Sequence, residues 1–356
     1  MTRLAMVMIA RDEAARIGRA LDSARPHVDR MIVLDTGSAD DTAAVARAHG
    51  AEVHHFIWCD DFSAARNAAL DRSDAAWNLI MDADDWIEGN ASALSPDRLP
   101  EGEGGFLGYV QATNRVVQDG GGQEGAVAVS RSWIPRVLPR GVRYQGSIHE
   151  QPASILPGRR LELRLAHDGF LPEALARKAG RNEALLAAAI GREPGDGYLW
   201  FQLGREHQAR ERAAEAADAF ARALNLTPSA AAWRHALVVR AVTALKTAGL
   251  LDEAMALADA EVANWPASPD FFFAVGDLYL EQATRVPDRA VKDYLPIVEY
   301  AWKKCLEIGD RDDLDGSVAG RGGYMAAHNL ALMFATFGLE GPAAEYRALA
   351  ETLRAA

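Results

Sequence analysis

The stretch Trp77-Asn78-Leu79-Ile80-Met81-Asp82-Ala83-Asp84-Asp85-Trp86-Ile87 sets the reading of this chain. An apolar, strand-like run ends abruptly in three carboxylates, Asp82, Asp84 and Asp85, with no basic residue beside them in sequence. Such a cluster asks for a cation. A hard divalent ion such as Mg2+ or Mn2+ takes oxygen ligands and is typically held by one or two carboxylates plus substrate phosphates, which Asp-x-Asp at the carboxyl edge of a strand can offer. A diphosphate is the ligand that would accompany it. The plainer reading is a solvated turn whose aspartates accept hydrogen bonds from backbone N–H groups two residues on.

Two upstream segments have the same form and favour the metal. Leu4 to Ala10 leads into Arg11-Asp12-Glu13 and a helical Ala14 to Ala24; Arg30 to Leu34 leads into Asp35-Thr36-Gly37-Ser38-Ala39-Asp40-Asp41-Thr42 and a helical Ala43 to His49. Continuous apolar strands alternating with helices predict a parallel sheet buried on both faces. Ligands bind such sheets at the carboxyl ends of the strands, where Arg11, Asp35 and Asp82 all fall.

Four signatures therefore follow one another: Ala10 to Glu13, Asp35-Thr36-Gly37-Ser38 with Asp40 and Thr42, Trp58 to Asn67, and Asp82-Ala83-Asp84-Asp85. In this order they resemble the family 2 glycosyltransferases of the GT-A fold. The resemblance implies transfer, with inversion, of a sugar from a nucleotide diphosphate sugar, a UDP-sugar foremost. It also implies a donor-nucleotide pocket of Ala10, Arg11, Glu13, Asp35, Gly37, Arg66 and Asn67, and Mn2+ or Mg2+ on Asp82 and Asp84. The residue types suit these roles. Asp35 can accept hydrogen bonds from a base or ribose, and Gly37 lets the turn approach the nucleotide. Arg66 offers a planar set of donors, and Asn67 bonds in either sense; an ordinary helix-face pair is the competing reading for these two.

A second constellation is Tyr144-Gln145-Gly146-Ser147-Ile148-His149-Glu150, followed by Leu161 to Ala166 and His167-Asp168-Gly169-Phe170. Both segments resemble a family 2 subgroup whose transferase domain precedes helical repeats. By that resemblance Glu150 or His149 is the general base, and His167 is a further metal or diphosphate contact. A base near the acceptor hydroxyl or thiol is what an inverting transfer needs, and a metal acting as a Lewis acid would offset charge on the leaving diphosphate. Structural hydrogen bonding is the competing role for all three residues.

The composition frames this reading. At 356 residues the length favours two domains, and 49% hydrophobic residues suffice for their cores. The two cysteines, Cys59 and Cys305, suggest neither a disulfide framework nor a metal motif, so a reducing cytoplasm is expected. The N-terminus lacks the h-region of a signal peptide, and no transmembrane segment is expected. A net charge of −12, from 50 acidic and 38 basic residues, argues against a nucleic-acid partner. A local run of Arg131, Arg136, Arg140 and Arg143 reads as a solvated loop or as a contact for an anionic acceptor or the donor diphosphate. Gly-rich turns at Glu101 to Gly105 and Asp119 to Gln123 bracket a strand-like Phe106 to Val117, as plain turns or a lid. Neither a Walker motif nor Gly-x-Gly-x-x-Gly occurs, which disfavours an NTPase or a dinucleotide oxidoreductase.

From Pro172 the chain becomes Ala-rich and helical. Trp200, Leu203, Gly204, His207, Ala216, Phe220, Ala223 and Pro228 fall at the offsets of the tetratricopeptide repeat, with His207 in place of the usual aromatic residue. More degenerate copies follow at Gly249 to Pro266, at Phe272, Val275, Gly276 and Tyr279, and at Asn329 to Gly338. Thr284 to Tyr294 and Asp310 to Gly323 interrupt the period and read as loops between helices. The expected architecture is an α/β GT-A domain over residues 1–170 and an all-α, tetratricopeptide-like solenoid over 171–356. A solenoid's concave face commonly takes peptides or proteins, although dimerisation or buttressing of the transferase would also account for it.

The resemblance extends to peptide glycosyltransferases of the sublancin type and to lipopolysaccharide-core glucosyltransferases. The expected activity is therefore a metal-dependent transferase with a peptide or protein acceptor. The alternatives are a lipid or polysaccharide acceptor, or an adaptor with a relict transferase domain.

Overall fold

The computed structural model describes residues 2–100, 105–117, 127–167 and 180–355. The chain divides into two compact units, Met1–Arg115 with Ser132–Ala189, and Val116–Arg131 with Ile190–Ala356. The Gly-rich 101–104, the 119–123 turn, Asp168-Gly169-Phe170 and the expected boundary near 170 lie outside the described residues.

In the first unit, strands β1 (Leu4–Ala10), β2 (Arg30–Asp35), β3 (Glu52–His55) and β4 (Trp77–Ile80) alternate with helices α1 (Ile17–Ala24), α2 (Thr42–Ala48) and α3 (Phe62–Leu70). Later come β5 (Asp85–Glu88), β6 (Leu107–Val117), β7 (Val127–Pro139), β8 (Arg143–Gln145), β9 (Gln151–Ala153) and β10 (Gly158–His167). The sheet order is β3-β2-β1-β4-β7-β6-β10-β5. Pairings β2–β3, β1–β2, β1–β4 and β6–β10 are parallel, whereas β7 runs antiparallel to β4 and β5 to β10.

Strand β1 is apolar throughout, and β2 and β4 nearly so, because successive side chains enter different cores. Leu4, Met6 and Met8 join Ile17, Leu21, Trp77, Leu79 and Met81 on one face. Ala5 and Val7 join Ile32, Leu34, Ile80, Ala69 and Leu70 on the other. Burying each large aliphatic side chain contributes about 1.5–3 kcal/mol. Asp35 ends β2 and Asp82 follows β4, so the apolar runs give way to carboxylates where these strands stop.

Helix α4 (Arg181–Arg192) follows, and the second unit contains helical hairpins built from α5 (Gly197–Gln208) and α6 (Ala213–Leu226), α7 (Arg234–Thr247) and α8 (Leu251–Glu261), α9 (Pro269–Arg285) and α10 (Leu295–Ile308), and α11 (Tyr324–Thr336) and α12 (Glu340–Ala355). The repeat's small residues have a steric reason. A Cβ on Gly204 would lie 2.4 Å from the Phe220 ring, and one on Gly276 would lie 2.4 Å from Trp302. Asp310 to Gly323 is a loop with a short strand at Ser317–Val318, paired with Arg131 and Ser130 of the same unit. The other expected loop, Thr284 to Tyr294, is instead helical over nearly all its length. Pro287 opens a new turn at a position that needs no N–H donor, and a π-helical turn over Ala290–Tyr294 leads into α10. No helix among the described residues is long and apolar enough to cross a membrane.

Candidate active site

The parallel register places Ala10 beside Asp35 and Asp35 beside His55, so three strands end together. Asp35 is 4% exposed, and its Oδ1 accepts from Gly37 N at 3.1 Å, Ser38 N at 2.9 Å and Ser38 Oγ at 2.8 Å. That turn needs φ of +101° at Gly37, where glycine carries no penalty. The turn then organises the loop after β1. Asp12 N donates to Ser38 Oγ, Ala39 N to Asp12 Oδ1, and Glu13 N to Thr42 Oγ1. Arg11 remains half exposed, 3.8 Å from Asp12. Ala10, Arg11, Glu13, Asp35 and Gly37 thus gather at the ends of β1 and β2, with Asp35 holding the turn's shape, whereas Arg66 and Asn67 of the same expected set have partners elsewhere.

The carboxylate turn closes on itself, with Asp85 N donating to Asp82 O and Asp82 N to Asp85 Oδ2. The neutralising charges absent from the flanking sequence come from distant elements. Arg66 Nη2 of α3 donates to Asp82 Oδ1 at 2.7 Å, and Arg136 Nη2 of β7 donates to Asp82 Oδ2 at 2.6 Å. Arg136 also stands 3.6 Å from Asp85. Burial pushes the Asp82 carboxyl up, but Arg136 and Arg66 outweigh it and hold it well below the carboxylate range. Of the arginine run, Arg136 turns inward. Arg143 pairs with Asp71 in the same unit, and Arg131 pairs with Asp312 in the helical unit.

Asp84 and Asp85 are 5% and 2% exposed. Antiparallel pairing sets His167 opposite Asp85, with His167 Nδ1 2.9 Å from Asp85 Oδ1 and 3.5 Å from Asp84 Oδ1. Burial opposes the charged imidazole, but the Asp85 hydrogen bond and both carboxylates raise its pKa above the usual histidine value. The ligand atoms of Asp84, Asp85 and His167 all lie within 4.8 Å of one another. Two carboxylates and an imidazole suit a divalent ion that accepts both oxygen and nitrogen, Mn2+ more than Mg2+. Asp85 was absent from the ligand set expected from sequence. Asp82, which was in that set, is engaged by two guanidinium groups.

Glu150 and His149 sit in the loop between β8 and β9, which has φ of +92° at Gly146 and +49° at His149. Asn67 fixes this hairpin to α3. Its Nδ2 donates to Tyr144 O at 2.9 Å, and its Oδ1 accepts from Tyr144 N at 2.8 Å. Phe62 N donates to Ser147 O. Glu150 is salt-bridged to Arg66 Nε, so Arg66 joins Glu150 to Asp82. Burial opposes the Arg66 charge, but Asp82 and Glu150 carry its pKa well above its ordinary value. Tyr144 lies under the Arg66 guanidinium, 5.5 Å from ring centroid to Cζ, and burial pushes its phenol up to about 12. Sequence reasoning did not find Tyr144 as a site residue, and it met Arg136 only as a member of a basic run.

Residues 6–93 match the family model described as Glycosyl transferase family 2. A TPR repeat-containing protein of Synechococcus elongatus is 43% identical over 105 residues, 28% of this chain and 26% of that protein. The SPbeta prophage-derived glycosyltransferase SunS of Bacillus subtilis is 25% identical over 228 residues, 61% of this chain and 52% of SunS. An uncharacterized glycosyltransferase of Rickettsia felis is 36% identical over 85 residues, 24% of this chain and 30% of that protein. The chain thus covers less than two thirds of the length of each of these relatives. With the strand-end carboxylates in place on a mostly parallel sheet, and with helical hairpins following, this chain joins a family 2 glycosyltransferase domain to a tetratricopeptide-like region.

Proposed function

We propose that the protein is a metal-dependent, inverting glycosyltransferase that moves a sugar from a nucleotide diphosphate sugar, a UDP-sugar foremost, to a peptide or protein acceptor. The observation that carries the proposal is the carboxylate turn itself. Asp84, Asp85 and His167 cluster beside an Asp82 that two arginines already neutralise. One oxygen of Asp85 closes the turn, while its other oxygen, Asp84 and His167 converge beyond what neutralising Asp82 requires, which supports a bound cation.

In this reading Asp84, Asp85 and His167 hold Mn2+ or Mg2+, which when bound supplies Lewis-acid stabilisation to the leaving diphosphate. Ala10, Arg11, Glu13, Asp35 and Gly37 shape the nucleoside rim. Asn67 acts by holding the Tyr144 hairpin, and Arg66 ties that hairpin to Asp82. Glu150 and His149 are the two candidates to take the acceptor proton. Against Glu150 stands its salt bridge to Arg66, which engages one of its carboxylate oxygens. The repeats would take the acceptor, as helical repeat surfaces commonly bind peptides. The likeness to the glycosyltransferase SunS supports sugar transfer, and the likeness to a TPR repeat-containing protein supports a binding role for the helices. Incubating the protein with a panel of nucleotide sugars, with and without Mn2+, and following release of nucleoside diphosphate tests the reading. Metal-dependent hydrolysis of one donor is expected, and release from none would overturn it.

A further inference from the structure

One half of the Asp35 carboxylate is unspent. Its Oδ1 accepts from Gly37 N, Ser38 N and Ser38 Oγ, whereas Oδ2 is met among the described residues by the side chain of His55, whose Nδ1 stands 3.5 Å away. Asp35 ends β2 and His55 ends β3, the edge strand, and the parallel register sets the two side by side. Asp35 is buried, but the His55 side chain is 66% exposed, so the imidazole stands at the open edge of the sheet. Its other nitrogen fixes its tautomer. Arg47 of α2 brings Nη2 to 3.3 Å from His55 Nε2. A guanidinium has donors only, so Nε2 accepts and the hydrogen of the neutral ring sits on Nδ1. An acceptor, Asp35 Oδ2, and a donor, His55 Nδ1–H, thus lie next to each other where the strands end. At 3.5 Å they satisfy one another poorly, and each keeps capacity for a ligand.

We propose that His55 is a specificity-determining residue for the donor nucleotide, which with Asp35 selects a base whose ring N–H lies beside a carbonyl, as in uracil, over cytosine. Uracil offers its N3–H to Asp35 Oδ2 and its O4 to His55 Nδ1–H. Cytosine reverses both groups along the same edge, setting a bare ring nitrogen against the carboxylate and an amino group against the imidazole N–H. Such a mismatch leaves polar groups unpaired on both partners, which costs more than the loss of one bond. Adenine presents the same reversed pair, whereas guanine has uracil's order of donor and acceptor on a larger ring. The proposal rests on the reading of the strand ends as the nucleoside site, and adds the side chain that sets the base. Arg47 is a positioning residue in it, acting through the His55 tautomer.

Calorimetric titration of the full chain with UDP and with CDP, each in the presence of Mn2+, tests the assignment. UDP is expected to bind at least about tenfold more tightly than CDP. His55→Phe keeps a ring and removes the donor, so UDP affinity should fall about tenfold while CDP affinity changes little. His55→Asn returns an amide donor near the place of Nδ1 and should restore most of the preference, which a merely structural role for the ring would not do. Arg47→Ala frees the tautomer and should lower the preference in the same direction. His55 is exposed, so its variants should melt close to the parent. Equal binding of UDP and CDP by the parent, or an unchanged ratio in His55→Phe, would overturn the role of His55. Binding of neither nucleotide by the parent would overturn the reading of the strand ends as the nucleoside site, and this inference with it.

Discussion

Asp85 and His167 lie 82 positions apart in sequence, yet antiparallel pairing of β5 with β10 brings His167 Nδ1 to 2.9 Å from Asp85 Oδ1. Asp84 stands 3.5 Å from the same nitrogen, so one imidazole is faced by two neighbouring carboxylates. Edge strand β5 and its neighbour β10 thereby bring into one set three side chains from distant parts of the chain.

That set predicts the behaviour of Asp84→Asn. The substitution removes a charge from a cluster of like charges and leaves Asp82 with both arginines, so the melting temperature should be unchanged or higher. Mn2+ binding, followed by calorimetry or by the loss of free-ion paramagnetic signal, should weaken by an order of magnitude or more. Wild-type affinity in this variant would remove Asp84 from the ligand set.

Glu150→Gln separates the two candidate bases. If Glu150 takes the proton, turnover should fall by a factor on the order of 10²–10⁴ while donor KM changes little, the usual contribution of a general base. If its work is to orient Arg66, the amide still accepts a hydrogen bond, and much of the activity should remain. The pH profile of His149→Ala then becomes the deciding measurement.

Acid should reach the helical unit through Glu261. Burial pushes this carboxyl up, but donors on Asn264, Arg234 and Trp265 outweigh it and hold it below the usual range. A depressed folded value means the stabilisation is complete above the unfolded value, roughly 4, and is lost as pH falls through the folded one. The melting temperature should therefore drop between about pH 5 and pH 3. Glu261→Gln should start lower at neutral pH and show a flatter slope across that window.

Gly204→Ala tests the steric basis of the first repeat. The added methyl would meet the buried Phe220 ring at 2.4 Å, and the helices must separate or the ring must turn. Overpacking of this kind costs about 1–3 kcal/mol, to be read as a shift in the denaturant midpoint. A pair of variants, Gly204→Ala with Phe220→Leu, should recover part of the loss.

The local pattern of this chain determined its elements. Apolar runs buried on both faces, such as Leu4 to Ala10, become parallel strands. Glycines set against aromatic rings, Gly204 against Phe220 and Gly276 against Trp302, space the helical hairpins. Asp35, Asp82 and Asp84 could be read as strand-end carboxylates because a strand's end is a local event. What faces those carboxylates was not legible. Arg66 and Arg136 reach Asp82 from an intervening helix and a distant strand, and the register of β10 decides that Asp85 joins Asp84 and His167. A shift of one residue in that register would turn His167 to the other face of the sheet, since side chains alternate along a strand. Periodicity records which residues are buried, but pairing register and long-range charge neutralisation depend on contacts between segments that no local window contains.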